Sequence, residues 1–208
     1  NAGSRSERRF LTSMTGLALE KWRSSAVCPE RQAGRCRQGV ALFDFSFMSV
    51  VRVSGAGSAA LISDYVQRDI SKMSVGGIRY CLHADPEHRV RSDLTVWKLD
   101  DEVFEVMSGE AADVKSLVAR STGRATVEDI SARTAIFAVQ GPLSLARILP
   151  ACEERSLERL RYFSFCDVKI HGVPARVGRL GYTGERGFEL VVDIDDGQYL
   201  WEALSQNI

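Results

Sequence analysis

Residues 75–109, VGGIRYCLHADPEHRVRSDLTVWKLDDEVFEVMSG, carry three β-rich runs in close succession, and this constrains the fold more than any other stretch. The spacing predicts strands at 78–84, 93–99 and 103–108, with Asp85-Pro86 and Asp100-Asp101 as the turns between them. Strands joined by such short turns pair as antiparallel hairpins. The same reading extends outward. VALFDFSFMSVVRVSG, ending at Gly55, gives one or two strands, and further strands fall at 126–129 and 134–140, the latter stopped by Gly141-Pro142. Two more, interrupted by Gly172, precede a glycine-punctuated turn and a final strand around Phe188 to Val192.

Helical patterns are fewer. A short helix follows Ser54 or Ser58 as its cap, another ends near Ser121, LSLARILP makes a third, and DDGQYLWEALSQNI closes the chain with Asp195 or Asp196 as cap. Residues 1–38 read as partly helical and polar. Strands outnumber helices and hairpins recur, so the expected class is α+β: mixed, mostly antiparallel sheets with helices packed against them.

At 208 residues there is material for one large domain or two small ones. Lys plus Arg equals Asp plus Glu at 27 each, which argues against a nucleic-acid or anionic-membrane partner. Five cysteines without a CxxC pair, and three histidines without ligand spacing, argue against a disulfide framework and a metal centre. There is no apolar run of about 18 residues to span a bilayer. The N-terminal stretch places Arg5, Arg8, Arg9, Lys21 and Arg23 against two acids, as mitochondrial presequences do, so the expected compartment is the cytoplasm or the mitochondrial matrix. The start at Asn1 reads as a fragment or trimmed chain.

RLGYTGERGFELVV, residues 179–192, poses a specific question. Strand alternation puts Phe188 and Leu190 on one face and Glu189 with Val191 on the other. If that second face is solvent, Glu189 needs no explanation. If it lines a cavity, the carboxylate is an acceptor-only group awaiting paired N–H donors.

Five segments, in order, resemble the folate-binding aminomethyltransferases: the T-protein of the glycine cleavage system, whose domain also occurs in dimethylglycine and sarcosine dehydrogenases. VALFDFSFM is similar to the family's VALFDVSHM, YVQRDISKMSVG to LLTNDVSKLKPG, SDLTVWKL to DDLIVYRL, AVQGP to ALQGP, and GYTGERGFEL to GYTGEDGFEL. Together they cover about residues 38–204.

The resemblance implies a T-protein-like fold around a folate cleft, lacking here the C-terminal β-barrel. It implies a discontinuous first domain, 1–50 with 130–208 (1–38 being an N-terminal extension), and an inserted second domain, 51–129. The implied activity is tetrahydrofolate-dependent transfer of an aminomethyl or methylene unit. The donor would be a small amine or a lipoyl-borne group on a carrier protein. By the same resemblance Asp93 is the catalytic carboxylate, and Tyr80, Val106, Ser108, Tyr182 and Glu189 bind the cofactor, Glu189 taking the pterin's amino group and ring N–H.

The chain departs from the family at four places: Phe47 replaces a histidine, His88-Arg89 a glycine pair, Ser92 an aspartate and Ser108 an asparagine. The departures at Phe47, His88, Arg89 and Ser108 admit a non-catalytic regulatory or assembly module, and the resemblance itself leaves a further alternative, the folate domain of a flavin-dependent dimethylglycine or sarcosine dehydrogenase. Cys81 lacks a His or Asn arrangement that would make it a nucleophile.

Overall fold

The computed structural model describes residues 29–208; the expected features at 1–28, including the basic N-terminal stretch, lie outside the described residues. The described residues open with helix α1 (Pro29–Gln38) and strand β1 (Ala41–Asp44). VALFDFSFMSVVRVSG yields two strands: the Asp44 carboxylate accepts the Ser46 N–H at 2.9 Å, turning the backbone before β2 (Ser49–Ser54).

Helix α2 (Ser58–Tyr65) is capped at Gly57 without a side-chain bond, not by Ser54 or Ser58, because Ser58 is already inside the helix and donates to the Glu102 carbonyl. The meander follows as β3 (Ile78–Ala84), β4 (Val90–Asp100) and β5 (Val103–Ser108). β4 begins three residues earlier than its own pattern suggests, since pairing with β3 continues past a bulge at His83/Ala84. Next come α3 (Ala111–Val118), β6 (Thr126–Asp129), β7 (Thr134–Gln140) and α4 (Ser144–Ile148). Finally β8 (Phe165–Ile170), β9 (Val173–Gly178) and β10 (Gly187–Asp193) lead into α5 (Ile194–Ser205). The cap of α5 is Asp193, whose carboxylate accepts from Asp195 N; Asp195 and Asp196 instead occupy the first turn, where their charge suits the helix dipole.

The strands form two five-stranded sheets, ordered β1-β7-β10-β9-β8 and β3-β4-β5-β2-β6, with antiparallel pairing throughout. Alternation decides which side each residue serves. In the first sheet Phe137, Val139, Phe188, Leu190 and Val192 join Ile148 of α4 and Leu200 and Leu204 of α5 in one core. In the second, Val51, Val53, Leu94, Val96, Phe104 and Val106 pack with Ile62 of α2 and Leu117 of α3.

The opposite faces meet each other. Val50, Ile78, Trp97 and Met107 from one sheet pack against Ile136 and Val191 from the other. The result is four layers, helix, sheet, sheet, helix, with the third apolar cluster as the seam. Gly178 is required there by close approach: a Cβ would lie 2.7 Å from Leu180 Cδ2 and 2.9 Å from Ile78 Cδ1, and would overlap the Trp97 ring.

A two-armed ion pair also stitches the seam. Glu105 on β5, 1% exposed, takes Arg52 Nη2 at 2.7 Å on Oε1 and Arg176 Nη1 at 2.9 Å on Oε2. Arg52 comes from its own sheet and Arg176 from the facing one.

Candidate functional site

Glu189 shares the seam-facing side of β10 with Val191, so the solvent reading of its position is ruled out: it is 1% exposed. Its two flanking strands place Ala138 and Gly178 beside it. Unlike Glu105 it is paired with no cation among the described residues. Glu189 Oε1 is the only buried carboxylate oxygen without a hydrogen-bond partner among the described residues. Burial pushes its pKa from 4.5 up to about 7, because an unpaired charge is costly away from water.

Asp93 comes from the other sheet. On β4 the residues Asp93, Thr95 and Trp97 alternate onto the seam side while Leu94 and Val96 point to the helices. On the neighbouring β3, Tyr80 pairs with Thr95 and Leu82 with Asp93, and both are about two-fifths exposed, at 42% and 44%. The surroundings of Asp93 are therefore open to solvent at this sheet edge.

Tyr182, in the loop between β9 and β10, joins the two carboxylates. Its phenol is raised above the ordinary tyrosine range, first by burial of the hydroxyl end and then by the charges of Asp93 and Glu189, with Asp93 also within hydrogen-bonding influence. Tyr80 is raised too, by burial and then by Asp93. Two phenols and two carboxylates thus lie together where the two sheets meet. Phe45 adjoins them: its ring centroid lies 6.4 Å from that of Tyr182 and 5.9 Å from that of Phe47, whose side is 71% exposed.

Four of the expected residues, Asp93, Tyr80, Tyr182 and Glu189, are brought together. Val106 and Ser108 are not brought there by their side chains. Val106 is 1% exposed within the helix-side core, and Ser108 donates to Asp113 Oδ2 of α3 at 2.5 Å, on the far face of the same sheet. Alternation along β5 gives the seam to Glu105 and Met107 instead.

Phe45 and Gln140 were not singled out in the sequence. The signal for Gln140 is a polar residue closing the otherwise apolar strand TAIFAVQ. Cys81, 3% exposed in the helix-side core, has its thiol pushed up by burial and is held neutral. Among the described residues no group of three or more His, Cys, Asp or Glu could hold a metal ion, and no helix is long and apolar enough to cross a membrane.

Fold and site together define an α+β protein of two paired sheets in which two carboxylates meet two tyrosines beside an aromatic cluster. The sequence matches the family described as the GCVT N-terminal domain over residues 10–207, and the chain belongs to that family. It is 35% identical over 184 residues to an aminomethyltransferase of Geobacillus thermodenitrificans, covering 86% of this chain and 50% of that protein. An aminomethyltransferase of Streptomyces avermitilis is 36% identical over 181 residues, 85% of this chain and 48% of the relative. The chain thus spans about half the length of the relatives it matches.

Among solved structures, the glycine cleavage system aminomethyltransferase T of Bartonella henselae superposes with a TM-score of 0.74 at 26% identity, over 84% of this chain and 47% of that one. Heterotetrameric sarcosine oxidase from Corynebacterium sp. U-96 shares the fold, with a TM-score of 0.59 at 14% identity, over 85% of this chain and 91% of that one.

Proposed function

We propose that this chain supplies the reduced-pterin pocket of a T-protein-like, tetrahydrofolate-dependent one-carbon transferase. The carrying observation is the buried Glu189 carboxylate with an unpartnered oxygen, meeting Asp93 at the Tyr182 phenol. A buried carboxylate without a cation fits a ligand presenting two adjacent N–H donors, which a pterin's amino group and ring N–H provide. The residues present fit that group. Glu189 would hold it by paired hydrogen bonds, and Tyr182 and Phe45 would flank its ring.

Tetrahydrofolate, when bound, supplies the amine nitrogens that accept the one-carbon unit. Asp93 orients such an amine by hydrogen bonding and stabilises the positive charge that develops there. The half-exposed rim of Tyr80 and Leu82 leaves an approach for a donor. By family membership that donor is an aminomethyl group on a lipoyl arm of a carrier protein, or a small amine. A division into a discontinuous unit, 1–50 with 130–208, and an inserted unit, 51–129, agrees from residue 41 onward with sheet membership, apart from the first two residues of β2: β2 to β6 form one sheet, and β1 with β7 to β10 the other.

A second reading, a non-catalytic module of the same fold, is favoured by Phe47 in the aromatic cluster in place of the family's histidine. One experiment separates the readings. Tetrahydrofolate is titrated against this chain and its full-length parent, and methylene-tetrahydrofolate production is followed with aminomethyl donors. Binding with turnover in the parent, lost in Asp93→Asn, supports the transferase; binding without product from any donor supports the module; no binding to the parent contradicts both.

A further inference from the structure

The loop that carries Tyr182 is built around one side-chain amide. Gln140, at the end of β7, is 0% exposed and 40 residues or more from its partners in sequence. Its Nε2 donates to the Leu180 carbonyl at 3.1 Å and the Phe188 carbonyl at 3.4 Å, and its Oε1 accepts the Thr183 hydroxyl at 3.0 Å. Two carbonyl acceptors on one side and a hydroxyl donor on the other leave one orientation for the amide.

The glycines of the loop follow from this. A Cβ on either Gly181 or Gly187 would overlap the Gln140 amide, and neither glycine has a left-handed φ, so close approach is what excludes other residues. Arg37 fastens the outer side, donating to the Thr183 carbonyl at 2.7 Å and Glu185 Oε1 at 2.9 Å.

We propose that Gln140 is a positioning residue that sets Tyr182 and Glu189 beside Asp93, a role that rests on the pterin-pocket reading for its purpose but not for its geometry. The amide fixes both neighbours of Tyr182: Gly181 by packing and Thr183 by a hydrogen bond. It also holds the Phe188 carbonyl, the peptide that leads into Glu189. No other side chain among the described residues hydrogen-bonds both ends of the loop. Buried polar groups satisfied on every side specify one arrangement, whereas an apolar replacement leaves two carbonyls without donors.

The test uses the 208-residue chain with tyrosine labelled at Cζ, the Tyr182 signal being assigned with Tyr182→Phe. At a pH of about 10.5, just above the ordinary tyrosine pKa, Tyr182 remains protonated in the parent. In Gln140→Leu it is largely ionised, because the hydroxyl is no longer buried and no longer faces Asp93 and Glu189. Tetrahydrofolate affinity, followed by fluorescence titration, falls about tenfold or more. Thr183→Val, which removes one of the three bonds, moves both readouts the same way by less.

A folded Gln140→Leu chain with an unaltered Tyr182 titration overturns the proposal. If that variant does not fold, an unaltered titration in Thr183→Val overturns it. If the parent binds no tetrahydrofolate, the pterin reading fails, and the Tyr182 titration still decides the role of Gln140.

Discussion

The Tyr182 phenol, on the loop between β9 and β10, lies close enough to the Asp93 carboxylate of the other sheet that Asp93 helps hold the phenol protonated above its ordinary range. Their meeting depends on the alternation along β4 and on the path of the loop between β9 and β10. Neither residue could be placed without the other sheet.

Replacing Asp93 by Asn removes that negative charge while keeping shape. Tyr182 should then ionise at lower pH, since a neighbouring anion disfavours phenolate. In the full-length parent, turnover should fall on the order of 10²-fold or more, with tetrahydrofolate binding changed much less. Tyrosine ionisation by ultraviolet difference spectra and steady-state kinetics check the two parts.

Glu189 makes stability pH-dependent with a definite sign. An unfolded glutamate ionises near 4.5, whereas in the fold burial delays this to about 7. Between those values the native state holds a proton that the unfolded chain has lost, so stability declines as pH rises from about 4.5 to about 7 and then levels. The loss amounts to about 3 kcal/mol. Glu189→Gln should be close to the parent at pH 4.5 and more stable at pH 8 by up to that amount, which urea unfolding at the two pH values measures.

Much of the architecture was legible because its signals are local. Strands 78–84, 103–108, 126–129 and 134–140 begin and end where turn residues bound β-rich runs. The early start of β4 was not, because pairing with β3 extends it back through Val90, Arg91 and Ser92, ahead of the apolar run.

The site was half legible for the same reason. Alternation separated Glu189 from Phe188 and Leu190, but whether its face met water or protein depended on a second sheet assembled from residues 49–129. Resemblance supplied Asp93, Tyr80 and Tyr182, and also Val106 and Ser108, whose side chains alternate to the helix side. The role of Gln140 is not legible in the sequence because its side-chain partners lie 40 residues and more away.

The Glu105 clamp predicts a structural contrast with Glu189. Arg176→Met leaves a carboxylate of 1% exposure with Arg52 alone, and should cost about 3 kcal/mol in denaturant unfolding. Tetrahydrofolate affinity per folded molecule should be retained, since Arg176 does not face Tyr182 or Asp93.

Gly178→Ala should destabilise the seam by about 1–3 kcal/mol, because the added methyl meets Trp97, Leu180 and Ile78 together. Thermal unfolding checks this. A neutral result would mean that the two sheets separate more readily than their packing implies.

The most direct test of the pocket is calorimetry of tetrahydrofolate binding near pH 6 in two buffers of different ionisation heat. Glu189 is mostly protonated there and must ionise to accept two N–H donors. The account predicts release of about one proton per ligand bound at pH 6, fading above pH 8. It also predicts that Glu189→Gln binds at least about tenfold more weakly with no proton release. Equal affinity in Glu189→Gln, or binding by the parent at pH 6 without proton release, would contradict it.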